Sequence, residues 1–176
     1  TGDGVINPPD YSPKVVDGRV IVSTRNDLYA FDAETGEKQW VKDNWDNTLN
    51  FERLTVADGT LFVNRGGGDI IEQRSVETGE ISWKWKITDN QWATRPTVSN
   101  GTVFIAVKKG ILLAVDVDTG EKEWTFEVPG PEANTKGNIG RITKPVVVDG
   151  TVFIGGNDDY LFAIEADTGK EEWRFN

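Results

Sequence analysis

The sequence predicts an all-β fold, a β-propeller of four four-stranded antiparallel blades, and three observations carry that prediction. Four segments share the same punctuation at a period of about 42 residues, the spacing of a repeat whose unit is four short strands. Within each segment β-branched and aromatic residues alternate with polar ones, which is the period of a strand and not of a helix. Asp-Gly or Asn-Gly stands between apolar runs in every segment. That pair is the strongest short hairpin signal, because Gly accepts the positive φ the turn demands.

The first segment reads in order as a strand ending at Val15-Val16, the turn Asp17-Gly18, and a second strand Arg19-Val20-Ile21-Val22. A polar loop, Thr24-Arg25-Asn26, leads to a third strand Leu28–Asp32, a turn Ala33-Glu34-Thr35-Gly36 and a fourth strand Lys38-Gln39-Trp40. The others repeat the pattern: Val56-Ala57-Asp58-Gly59 through Trp83, Val98-Ser99-Asn100-Gly101 through Trp124, and Val147-Val148-Asp149-Gly150 through Trp173. The blades span about 11–43, 52–87, 94–128 and 143–176, one repeat unit over 1–176. Blade two departs from the others at Ile70-Ile71-Glu72-Gln73-Arg74-Ser75. It reads as having an extra residue or two before Thr78-Gly79, either a bulge or a blade specialised to face a partner.

Antiparallel order sorts the connections. With the strands of a blade lettered A to D, the A–B and C–D turns fall at one end and the B–C and D–A loops at the other. The first end carries near-identical turns and reads as structural. The second carries the variation, including Pro129–Asn138 after Trp124, and function on a rigid scaffold concentrates in such loops.

Composition removes several chemistries. The 176 residues include no Cys, Met or His, and 29 acids against 19 bases give a formal charge of −10. Disulfides, thiol nucleophiles, histidine bases and imidazole-bound zinc are excluded. The charge argues against a nucleic-acid partner, and no apolar run is long enough for a membrane-spanning helix. The acids crowd into turns as a solvated rim, which a salt-adapted source would also produce, and none of these runs matches a calcium loop, so no metal site is expected. Thr1 in place of a starting Met reads as a processed or excised start.

The stretches Leu28–Trp40, Leu112–Trp124 and Leu161–Trp173, each preceded by an Asp-Gly or Asn-Gly hairpin, closely resemble the pyrroloquinoline-quinone-type propeller repeat. The resemblance implies that Trp40, Trp83, Trp124 and Trp173, with Ala30, Ala114 and Ala163, dock neighbouring blades. It implies a location outside the cytoplasm. Members of the family include quinoprotein dehydrogenases, which hold the quinone and a calcium ion near the axis, and non-enzymatic protein binders of the β-barrel assembly lipoprotein type. The family's adjacent-cysteine disulfide is absent here, and its catalytic Asp and calcium-binding residues have no counterpart. The expectation is therefore a non-catalytic scaffold without a cofactor, binding a protein or a small ligand. The alternatives are a half dehydrogenase taking the quinone with calcium, or an excised or engineered repeat piece with no activity of its own.

Rings of this family usually have seven or eight blades, so four blades make half a ring with an apolar face at each end. Such faces do not stay wet. Homodimerisation into an eight-bladed ring is the favoured outcome; a tightened four-bladed ring and a less regular association are the others. Aligning the A–B turns also gives a column of Ser12, Arg53, Arg95 and Lys144 at the start of strand A, facing the channel mouth at the variable end. With Trp92 and Arg141 as a wall, the cations could hold a carboxylate-rich or phosphorylated ligand. The alternative is that they pair with acids such as Glu52 or Asp89 and merely hold blades together.

Overall fold

The computed structural model describes residues 12–24, 27–43, 51–65, 70–87, 93–107, 110–129, 142–156 and 160–176, the side chains of 51–53 and 65 excepted. Blade one holds β1 (Lys14–Val16), β2 (Arg19–Ser23), β3 (Asp27–Asp32) and β4 (Lys38–Asp43). Blade two holds β5 (Phe51–Ala57), β6 (Thr60–Arg65), β7 (Ile70–Arg74) and β8 (Ile81–Lys86). Blade three holds β9 (Thr97–Ser99), β10 (Thr102–Val107), β11 (Ile111–Asp116) and β12 (Lys122–Glu127). Blade four holds β13 (Val146–Val148), β14 (Thr151–Gly155), β15 (Leu161–Glu165) and β16 (Glu171–Phe175). Each blade is one antiparallel sheet with its strands in chain order.

The A–B hairpins fold as their sequence requires. Both central residues have positive φ in every blade: 46° and 70° at Asp17-Gly18, 49° and 72° at Asp58-Gly59, 50° and 79° at Asn100-Gly101, 48° and 80° at Asp149-Gly150. That is the type I′ turn, whose twist matches the flanking strands, and Asp and Asn tolerate its first position better than other side chains. The A–B and C–D turns then lie at one end. The Ala33 N–H donates to the Gly18 carbonyl, Val117 to Gly101 and Ala166 to Gly150, each at 2.8 Å.

The ladder between the third and fourth strands slips by one residue at the same place in all four blades: after Ala30, Gln73, Ala114 and Ala163. This corrects the reading of blade two. Gln73 faces Trp83 as Ala30 faces Trp40, and Gln73 precedes Gly79 at the interval at which Ala30 precedes Gly36. The bulge is therefore common to the repeat, and blade two has no insertion before Thr78-Gly79.

Strand alternation gives every inner blade two apolar faces, and the core is the set of seams between them. Ile21, Leu28 and Ala30 of blade one meet Leu54, Leu61 and Val63 of blade two. Phe62, Ile71 and Trp83, on the other face of blade two, meet Val103, Ile105 and Val115 of blade three. Phe104, Leu112 and Ala114 meet Val152, Ile154, Phe162 and Ile164 of blade four. Phe62, Phe104 and Phe162 are wholly buried, and burying each contributes about 1.5–3 kcal/mol.

The first seam differs from the other two. Glu72 and Arg74 sit where blade three has Leu113 and Val115, and both are buried. The Arg74 Nε donates to Glu72 Oε2 at 2.8 Å, Nη2 lies 2.6 Å from the same oxygen, and Nη1 donates to the Gly79 carbonyl at 2.6 Å. An ion pair thus replaces two apolar side chains, and Arg74 braces the C–D turn of its own blade.

The turn glycines set the closeness of the seams. Gly120 has φ 72°, and a Cβ there would lie 2.6 Å from Trp83. Gly101 has φ 79° and open space around it. Both Gly→Ala changes should cost about 1–2 kcal/mol of left-handed strain. Gly120→Ala should cost at least about 1 kcal/mol more by displacing the indole. Urea midpoints of the two variants check this; equal losses would mean that the seam tolerates a methyl.

Candidate functional site

The B–C and D–A connections run at the end opposite the repeated turns. There the Thr94 N–H donates to the Ala106 carbonyl at 2.8 Å, Thr143 to Gly155 at 2.9 Å and Val128 to Gly110 at 2.7 Å. The Thr94 and Thr143 bonds extend the ladder of the inner strand past β9 and β13. They place the next residues, Arg95 and Lys144, at equivalent positions beside the inner strands. Arg95 is half-buried and Lys144 exposed.

Arg53 occupies the corresponding position on β5, opposite Asn64 in the register; its side chain lies outside the described residues. So do Trp92 and Arg141, and with them the proposed flat wall. The structure therefore aligns the backbones of Arg53, Arg95 and Lys144, and leaves the wall undescribed.

Sequence reasoning missed Asn64. It is 1% exposed, and its Nδ2 donates to the Thr94 carbonyl at 3.2 Å, tying blade two to the segment that carries Arg95. Its Oδ1 is buried without a partner. The available signal was a polar residue at an inward position of Leu61-Phe62-Val63-Asn64, where alternation calls for an apolar one.

The turn end has the opposite character. Its eight turns hold acids such as Asp17, Glu34, Asp58, Glu77, Asp118 and Asp167, with Lys170 as the one base among them. An open depression of about 330 Å³ at this end is lined by Asp17, Arg19, Asp32, Glu34 and Gln39.

Two turn carboxylates are structural. Asp32 Oδ1 accepts from the N–H of Thr35 at 2.7 Å, the Thr35 hydroxyl at 2.9 Å and the N–H of Glu34 at 3.0 Å; Asp116 makes the same set with Thr119 and Asp118. These bonds, the threonine N–H first, hold both carboxyls below their ordinary range. A lowered carboxyl contributes stability that is full above its unfolded pKa and is lost as pH falls through the folded one. Thr119→Val removes the hydroxyl donor, so the acid-unfolding midpoint should move to higher pH; an unchanged midpoint would contradict that role for the hydroxyl.

The tryptophans sit at the seams. Trp40 Nε1 donates to the Val76 carbonyl at 3.0 Å, Trp83 to Val117 at 2.9 Å and Trp124 to Ala166 at 2.9 Å, each reaching the C–D turn of the next blade. Ala30, Ala114 and Ala163 lie opposite Trp40, Trp124 and Trp173 in the register, and all three are fully buried. Among the described residues Trp173 docks on no neighbouring blade, and it is 46% exposed.

Among the described residues no three carboxylates gather within reach of one metal ion. No helix among them is long and apolar enough to cross a membrane.

Comparison with known proteins gives one consistent result. The PQQ_2 family, described as outer membrane protein assembly factor BamB, matches residues 25–176. The BamB of Shewanella oneidensis is 29% identical over 152 residues, covering 77% of this chain. The chain spans 37% of that relative's length. The crystal structure of BamB from Moraxella catarrhalis superposes with a TM-score of 0.64 at 19% identity, covering 94% of this chain and 63% of that one. Quinohemoprotein alcohol dehydrogenase from Comamonas testosteroni gives 0.66 at 20% identity, covering 94% of this chain and 34% of that one. At these identities the two structures speak for the fold alone.

Proposed function

The chain belongs to the PQQ_2 family, and from that membership we propose that it is a non-catalytic propeller scaffold that binds a protein or a small anionic ligand at the end carrying the B–C and D–A loops. One observation carries the choice of end. The turns at one end hold many acids and a single base, Lys170, while Arg95 and Lys144 stand at equivalent positions at the other. An approaching carboxylate or phosphate is repelled from the first and drawn to the second, where Arg offers paired donors. The ring is completed by pairing: two copies supply eight blades, and pairing doubles the set of cations around one mouth. The relatives named for outer membrane protein assembly support a protein partner and a location outside the cytoplasm.

Citrate is a suitable probe, followed by amide chemical shifts on titration. Shifts should cluster at 94–95 and 143–144 and leave the turns at 32–36 and 116–120 unmoved. The double variant Arg95→Ala, Lys144→Ala should weaken binding about tenfold or more, in line with roughly 1.5–3 kcal/mol for bonds to charged groups. Shifts at the turn end, or an unchanged affinity, would overturn the reading. Added quinone with calcium should leave no absorbance on the protein after gel filtration; retained colour would favour the dehydrogenase alternative.

A further inference from the structure

We infer that Trp173 of one copy seats on the first blade of a second copy, its indole N–H on the Ala33 carbonyl and its ring over Gly36, a head-to-tail lock that deepens the pairing proposed above and rests on it. The three internal seams supply the template. In each, a tryptophan at the end of one blade donates to the carbonyl in the C–D turn of the next: Val76, Val117 and Ala166. In each, the ring takes the space over that turn's glycine. A Cβ on Gly79 would lie 2.8 Å from Trp40, on Gly120 2.6 Å from Trp83, and on Gly169 2.6 Å from Trp124.

One member of each column is left over. Ala33 is the repeat equivalent of the three acceptors, and a Cβ on Gly36 would meet nothing within 4 Å, although its φ of 72° matches that of Gly79 and Gly120. Trp173 is the repeat equivalent of the three donors. Phe153 stands against it at 5.9 Å between ring centroids, as Phe62 stands against Trp83 at 6.0 Å and Phe104 against Trp124 at 5.8 Å.

The surrounding surfaces continue the match. Leu161, Trp173 and Phe175 are exposed on the last blade. On the first blade Val15, opposite Val20, is 68% exposed, while its equivalents Val56, Val98 and Val147 pack into the three seams. Tyr29 and Phe31 stand on that same blade where Leu113 and Val115, or Phe162 and Ile164, meet the preceding blade. Donor and acceptor lie on opposite ends, so the contact is heterologous, and two such contacts close a ring. The occupant is a second copy because its first blade carries this acceptor column.

The test measures mass by light scattering over a range of concentrations, for the chain and for Trp173→Glu and Val15→Glu. Both sites are exposed in the single chain, so both variants should fold, and circular dichroism verifies it. The chain should weigh 39.0 kDa, twice 19.5 kDa. Each variant should associate at least about thirtyfold more weakly, the scale of one interface hot spot. An equimolar mixture of the two variants should regain dimer, because one of its two seams is intact. A dimer indifferent to both substitutions would overturn the lock and leave pairing standing. A monomeric chain would overturn both, and mass that grows without limit would show contacts that do not close. None of these results bears on citrate binding, which is read separately.

Discussion

Arg74→Leu should destabilise the protein by about 3–5 kcal/mol, read as a fall in the urea midpoint, because it removes the guanidinium that pairs with the buried Glu72 carboxylate. Glu72 is 1% and Arg74 7% exposed, and the guanidinium also holds the Gly79 carbonyl. Removing one partner of a buried pair takes from the other the opposite charge that offsets its desolvation. Replacing both is a different experiment. Glu72→Leu with Arg74→Val installs the side chains blade three uses at the same positions, and should be neutral or stabilising by about 1–4 kcal/mol, since apolar packing matches or exceeds a desolvated pair. A double variant as unstable as Arg74→Leu would show that the seam needs the charges themselves.

Trp83→Ala should cost about 3–5 kcal/mol, the range for truncating a buried aromatic ring. Trp83 fills the second seam, stands 6.0 Å from Phe62 between ring centroids, and donates to the Val117 carbonyl. Trp83→Phe keeps most of the ring and loses the donor, so it should lose about 1 kcal/mol through the hydrogen bond together with a smaller packing loss. Trp173→Ala supplies the contrast. Below the concentration at which copies pair it should change unfolding by less than about 1 kcal/mol, because its indole is 46% exposed. Equal losses at Trp83 and Trp173 would contradict the assignment of the tryptophans to seams.

The strands, their order and the turns were legible because they obey local codes. Positive φ at Asp17-Gly18 and its equivalents follows from the residue pair alone, and the alternation in Leu61-Phe62-Val63 fixes which residues face which blade. Blade two misled the reading because Gln73 replaces the alanine opposite the tryptophan. Only the pairing of Gln73 with Trp83 shows that the bulge is the common one. Glu72 and Arg74 were unreadable as a buried pair, since a charged residue at an inward position is buried or exposed according to the neighbouring blade, which no local pattern encodes. Asn64 escaped notice for the same reason. The column of Arg53, Arg95 and Lys144 was readable as a position, because it is counted from the turns.

The central claim is that the end faces are the two halves of one more seam. A crystal structure of the 176-residue chain tests it most directly. The account predicts two chains in one closed ring, with Trp173 Nε1 about 3 Å from the carbonyl oxygen of the partner's Ala33. An open arc with Trp173 in solvent, or four blades closed on themselves with Trp173 against Ala33 of its own chain, would contradict it.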